Sequence, residues 1–181
     1  MAIFLITGAS GTGKTTLAHE LKKYRYWDEC ISHTTRPMRD GEVDGETYYF
    51  VNKEVFTKMH ENGEFAEHVT YHGNYYGISH AEINRVMGRN KHVFIIVEYG
   101  GYLQIKEQYP NAIGIYIWAT KEDCVMNMLS RGDSIESANK RISTYEQEIA
   151  QKNHYDYVIR NVRGKFRETV AILANIINQY E

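Results

Sequence analysis

Short apolar runs alternate with longer stretches of helical period along most of the chain. Ala2-Ile3-Phe4-Leu5-Ile6 is apolar throughout, the pattern of a strand covered on both faces. Val93-Phe94-Ile95-Ile96-Val97 and Ile113 to Trp118 read the same way, and Tyr157-Val158-Ile159 is a shorter version. Between these runs, Thr15 to Lys23, Tyr102 to Gln108, Lys121 to Leu129 and Ser137 to Lys152 have helical composition. The C-terminal segment is the clearest. There Phe166, Val170, Leu173, Ile177 and Tyr180 recur every three or four residues as a core-facing stripe. Strands alternating with helices predict an α/β domain with a mainly parallel sheet.

From Ile31 to about Tyr76 the rhythm changes. Thr47 to Val51 and Phe65 to Tyr71 are strand-like and enclose a helical patch, Lys53 to Asn62, that stops at Gly63. Asp40-Gly41 and Asp44-Gly45 punctuate the segment as turns. It reads as a lobe inserted into the α/β core.

Composition narrows the picture. With 181 residues, 43% hydrophobic and 24% charged, the chain suits one domain with a full core. A net charge of −2 gives no general pull toward nucleic acid or an anionic membrane, so an anionic ligand needs a local cluster of charge. No apolar run approaches the ~18 residues of a membrane helix, and the N-terminus lacks the positive region of a signal peptide. Two cysteines, Cys30 and Cys124, make neither a disulfide framework nor a zinc site and read as buried thiols in a reducing compartment. The expectation is a cytoplasmic domain without nucleic-acid or membrane partners. His68 and His72 invite a metal reading, but four residues on a strand span about 13 Å, too far to share one ion. Lys22-Lys23 with Arg25 is a solvated helix end.

One motif carries specific chemistry. Gly8-Ala9-Ser10-Gly11-Thr12-Gly13-Lys14-Thr15 fits G-x-x-x-x-G-K-[ST] in full, between a buried strand and a helix. Glycines there let backbone N–H groups converge on phosphate oxygens, and the helix N-terminus adds partial positive charge. Lys14 is expected at the β- and γ-phosphates of ATP, Thr15 at Mg²⁺, and Thr16 beside them. Glu98, after the buried run ending at Val97, is the acidic residue that such a loop calls for on a neighbouring strand.

The lobe adds further chemistry. Arg36 and Arg39, three apart on a loop, can grip one phosphate from two sides, with Tyr48 and Tyr76 nearby. Glu67 can accept from both the ring N–H and the amino group of guanine, a donor pair that adenine lacks. Taken alone, it is as often an exposed strand glutamate.

Ser32-His33-Thr34-Thr35-Arg36-Pro37-Met38-Arg39-Asp40-Gly41-Glu42-Val43-Asp44-Gly45 closely resembles the nucleotide-binding segment of guanylate kinases. Tyr48-Tyr49-Phe50-Val51, Gly63-Glu64-Phe65-Ala66-Glu67 and Gly73-Asn74-Tyr75-Tyr76-Gly77 do so too. Arg131-Gly132-Asp133-Ser134 with Lys140-Arg141 looks like that family's lid, and Tyr155 to Ile159 with Asn161 like its last strand. The resemblance runs from the phosphate loop almost to the C-terminus, in the family's order.

It implies a P-loop NTPase core with a parallel sheet flanked by helices, an inserted mixed-strand monophosphate-binding lobe and a short helical lid. The expected division is one domain over 1–181, with core 1–30 and 80–181, lobe about 31–79 and lid about 130–142. It implies transfer of the ATP γ-phosphoryl group to GMP or dGMP, with Mg²⁺ as cofactor. Lys14, Arg36, Arg131 and Arg141 are then the catalytic cations. Residues 8–16 bind ATP, and Ser32, Arg36, Arg39, Tyr48, Glu67, Tyr76, Ser79 and Glu98 bind GMP. The alternatives are a small P-loop kinase for another acceptor and a guanylate-kinase-like binding module. Departures from the family pattern are Ile78 where Ser or Thr is usual, Ile96 for a carboxylate, Asn127 for an arginine, Val162 for an aspartate, and a lid one residue shorter.

Overall fold

A five-stranded parallel sheet forms the core of the computed structural model, which describes residues 1–23, 27–71, 73–89 and 91–180. Its strands in chain order are β1 (Ile3–Thr7), β2 (Trp27–Glu29), β7 (His92–Ile96), β8 (Ile113–Trp118) and β9 (Tyr157–Arg160). In space they run β2-β7-β1-β8-β9, so the strand leading into the phosphate loop is central. Alternate residues of β1 feed two cores. Ile3 and Leu5 join Ile83, Val86, Ile95 and Ile105 on one face. Phe4 and Ile6 join Leu17, Leu21, Ile115, Leu173 and Ile177 on the other. Burial on both faces is why these strands are apolar at nearly every position.

The connecting helices match the alternation read from the chain. They are α1 (Lys14–Leu21), α4 (Tyr99–Gln108), α5 (Lys121–Ser130) and the amphipathic α8 (Phe166–Ile177). The single helix expected over Ser137 to Lys152 is instead α6 (Ile135–Ile142) and α7 (Tyr145–Ala150), followed by a tight 3₁₀ turn at Gln151–His154. Between α6 and α7, the Ser143 and Thr144 hydroxyls donate back to the carbonyls of Lys140 and Arg141. Such local bonds compete with helix propagation. Cys30 and Cys124 are both buried and outside any disulfide.

The segment from Ile31 onward folds as a second, mixed sheet in the order β4-β3-β6-β5. Its strands are β3 (His33–Thr34), β4 (Tyr49–Phe50), β5 (Phe65–Tyr71) and β6 (Asn74–Ser79), with α2 (Lys53–Glu61) between β4 and β5. β4 is shorter than the strand read over Thr47 to Val51, and Tyr48 precedes it. β5 has the expected bounds. Arg25 and His72 lie outside the described residues.

The hinge between the two sheets is α3 (His80–Met87), capped by the Ser79 hydroxyl accepting from the Glu82 N–H. Glu82 is buried, and three groups donate four hydrogen bonds to it: the Arg85 guanidinium through two bonds of 2.7 Å, the Ile31 N–H and the Tyr49 hydroxyl. Although burial pushes this carboxyl up, the Arg85 guanidinium and the Ile31 N–H hold it below the usual carboxylate range. Glu82→Ala should therefore cost about 3 kcal/mol, because it strands Arg85 and two half-buried donors. Urea unfolding measures this, and a cost under about 0.5 kcal/mol would refute it.

Candidate active site

The phosphate loop, residues 8–15, joins the carboxyl end of β1 to α1. Gly11 and Gly13 both have positive φ, +84° and +91°. A Cβ on Gly11 would stand 2.4 Å from the Cys124 carbonyl oxygen, and one on Gly13 would stand 2.6 Å from Asn161 Nδ2. Both positions need glycine for backbone conformation and for close approach.

The loop's carbonyls are turned into the protein. Gly8 and Ala9 accept from Lys14 Nζ at 2.5 and 3.0 Å, and Ala9 also accepts from the Thr12 hydroxyl. Gly11 accepts from Asn127 Nδ2 at 2.8 Å, and Thr12 accepts from Asn161 Nδ2 at 2.9 Å. Two carboxamides thus brace the loop from opposite flanks, α5 on one side and the segment after β9 on the other. With the carbonyls engaged, the first amides of α1, which have no partners within the helix, are left for an anion. Burial lowers the Lys14 ammonium to about 8, against the upward pull of Glu148 and Glu98.

A cleft of about 860 Å³ opens over this loop. Ser10, Gly11, Gly13, Lys14, Thr15 and Thr16 form its floor, while Ala9 and Thr12 are buried beneath. Ser32, Tyr48, Glu67 and Tyr76 reach it from the second sheet, and Glu98 from the start of α4. Asn127, Arg131 and Arg141 line it from α5 and α6, and Asn161, Arg163 and Phe166 from the segment after β9.

Glu67 is not the exposed strand residue that its position alone allows. It is 6% exposed, and burial raises its carboxyl to about 7, opposed by the Ile78 N–H and reinforced by Glu98. A Cβ on Gly101 would lie 3.0 Å from Glu67 Oε2, so this glycine in the first turn of α4 leaves the carboxylate its room.

Several residues expected at the site are not on the cleft wall. Arg36 is held by Glu42 through two bonds of 3.0 and 2.6 Å, with its guanidinium 5.5 Å from the Tyr48 ring centre. Arg39 is exposed, and its backbone N–H donates to the same Glu42. Ser79 is buried as the cap of α3 and does not face the cleft. Its place in Ser79-x-x-Glu82, a capping-box spacing, was the available sign of that role. Arg131 and Arg141 do line the cleft, but Arg131 pairs with Asp133 at 2.5 Å and Arg141 with the same carboxylate at 3.7 Å.

The sequence singles out Asn127 and Asn161 but not as braces, and it does not disclose the parts played by Glu42 and Arg163, since only the fold brings them to the loop or to the arginine. His33 and His80 are absorbed by ring contacts with Tyr49 and Tyr109. His68 packs on His60 instead, with ring centres 4.2 Å apart. Among the described residues no three His, Cys, Asp or Glu side chains converge as a metal site.

A central strand, a complete phosphate loop, and a second sheet that presents a buried carboxylate across one cleft define a P-loop nucleotide-binding protein of α/β type. Within that class the chain belongs to the guanylate kinase family, whose model, described as guanylate kinase, matches residues 1–180. It is similar to a guanylate kinase of Photorhabdus laumondii, at 36% identity over 180 residues that cover 97% of this chain and 86% of that protein. A guanylate kinase of Neisseria meningitidis serogroup A is 38% identical over 162 residues, covering 88% and 79%. The crystal structure of guanylate kinase from Anaplasma phagocytophilum matches with a TM-score of 0.72 at 25% identity, covering 99% of this chain and 85% of that one.

Proposed function

We propose that the protein transfers the γ-phosphoryl group of ATP to GMP or dGMP, giving ADP and the nucleoside diphosphate. The buried Glu67 carboxylate, facing a complete phosphate loop across one cleft, carries this reading. Guanine offers it two donors, whereas adenine would leave it desolvated and unpaired. The complete loop argues against a binding module, and the carboxylate against an acceptor without a base. ATP and Mg²⁺ incubated with a panel of nucleoside monophosphates should form ADP fastest with GMP or dGMP. Equal rates with AMP would overturn the reading.

The acceptor phosphate is itself the nucleophile, so alignment and charge neutralisation suffice. Lys14 holds the transferring group, and Arg36, Arg131 and Arg141 gather on it as lobe (about 31–79) and lid (about 130–142) close on the core, excluding water. Each lid arginine exchanges Asp133 for phosphate in that closure. Mg²⁺ fits the oxygen donors present: Thr15 would hold it together with the ATP phosphates, and Glu98 offers a carboxylate on the same cleft. The ion supplies charge neutralisation on the transferring group. Ser32 and Glu98 flank Glu67 at the base, and Ser79 supports the site as a helix cap. Two buried thiols outside any disulfide and nucleotide substrates fit a cytoplasmic setting, and no described helix is long and apolar enough to cross a membrane.

Arg36 and Arg39, with Tyr48 and Tyr76, form the clamp on the acceptor phosphate. Glu42 prepays part of the ordering of Arg36, and the incoming phosphate has to compete with it. Alanine at Arg36 should raise the KM for GMP about tenfold and also lower kcat, whereas alanine at Arg39 should raise KM alone. A changed KM for ATP with an unchanged KM for GMP would refute this placement.

A further inference from the structure

Among the described residues four cations line the cleft, and three are already engaged by the protein. Lys14 is bound to the Gly8 and Ala9 carbonyls, and Arg131 and Arg141 share Asp133. The fourth, Arg163, is exposed and makes no ion pair among the described residues. It stands two residues beyond Asn161, whose carboxamide donates to the Thr12 carbonyl and crowds Gly13. Its segment is therefore fastened to the phosphate loop itself.

Sheet order fixes which end of the cleft this is. Glu67 and the second sheet hang from the β2–β7 side, while Arg163 follows β9 at the opposite edge, with the β1 loop between them. A ligand touching Arg163 must lie across the phosphate loop from the guanine-reading carboxylate. On the other flank of the loop, Asn127 contributes a neutral amide that is spent on the Gly11 carbonyl. This chain thus has no cation at 127 and an unpaired one at 163.

We propose that Arg163 is a contact for the phosphate chain of the donor nucleotide, supplying from the β9 flank the positive charge that Asn127 does not supply from α5. This rests on the reading of the cleft as an ATP site, but not on the identity of the acceptor. Among the described residues the guanidinium has no partner to surrender before it binds, unlike the lid arginines, so it can engage ATP before the lid closes. Its contribution should be electrostatic and weaken as salt is raised.

The test is calorimetric binding of ATP and of ADP without any acceptor, alongside steady-state kinetics. Arg163→Ala should weaken ATP binding about tenfold, and Arg163→Glu more than that. Arg163→Lys should keep most of the affinity. The KM for GMP and the melting temperature should stay at wild-type values, because the residue is exposed and lies across the loop from the acceptor. Unchanged ATP affinity in both the alanine and glutamate variants would overturn the proposal, as would a loss of affinity for GMP instead of ATP. Were the wild type to bind ATP tightly yet phosphorylate no guanine nucleotide, the proposed reaction would fail while this test kept its meaning.

Discussion

Lys14→Met is expected to lower kcat by about a thousandfold or more while leaving the protein folded. Lys14 is the only side-chain cation of the phosphate loop, and removing one preorganised donor from a developing charge costs roughly a hundred- to a thousandfold elsewhere. Its ammonium donates to the Gly8 and Ala9 carbonyls. A phosphate arriving over the loop gives it a better acceptor. Methionine keeps the length and apolar stem of the side chain, so loop geometry should survive, and circular dichroism should show the wild-type melt. Turnover within tenfold of wild type would remove the basis for the phosphate-loop assignment.

The same side chain predicts a pH profile. Burial lowers Lys14 to about 8 in the free protein, so its charge is present below that pH and lost above it. Bound phosphate favours the charged form and raises the value again. For ATP, kcat/KM reports the free protein and should decline above about pH 8, whereas kcat reports the complex and should remain flat there. Parallel declines in both would mean that the lysine is not the titrating group.

How far the chain disclosed all this depended on what each element leans on. The phosphate loop was legible because its motif, its strand and its helix are contiguous. β5 was legible because Phe65 to Tyr71 is a long strand-like run. β2 was not, since Trp27–Glu29 has too few residues to show a period and exists through its pairing with His92–Phe94. α3 went unread although Ser79 and Glu82 stand at capping-box spacing and Ile83 and Val86 follow at helical spacing. The break at Ser143-Thr144 depends on hydroxyl-to-carbonyl bonds that composition does not display. In the site, Lys14, expected from the loop motif, and Glu67, singled out by the family resemblance, both reach the cleft. Arg36 is turned to Glu42, a partner that no spacing rule announces, and Ser79 to Glu82, at the capping-box spacing that went unread.

Glu67→Ala should collapse most of the preference for GMP over AMP. The carboxylate is desolvated, so a base that leaves it unpaired loses far more than the net worth of one hydrogen bond. Ile78→Thr should change GMP affinity by no more than about tenfold, or 1.4 kcal/mol. Ile78 is 2% exposed within the core that includes Ala66 and Val97, so its replacement acts chiefly on packing. Protonation gives a second, independent handle. Burial raises Glu67 to about 7, and only the ionised form accepts both guanine donors. The free carboxyl is mostly protonated at pH 6 and mostly ionised at pH 8, so the KM for GMP should be about tenfold higher at pH 6. Because the folded state favours the protonated form, this residue makes stability fall as pH rises from about 4.5 to about 7, by on the order of 3 kcal/mol. Glu67→Gln should remove that fall, and should be more stable than wild type at pH 8 but not at pH 4. Should the ratio of kcat/KM for GMP and AMP be unchanged in Glu67→Ala, base reading would have to lie elsewhere in the cleft. A glutamine variant with the wild-type pH dependence of stability would show that Glu67 is ionised without cost, which its burial forbids.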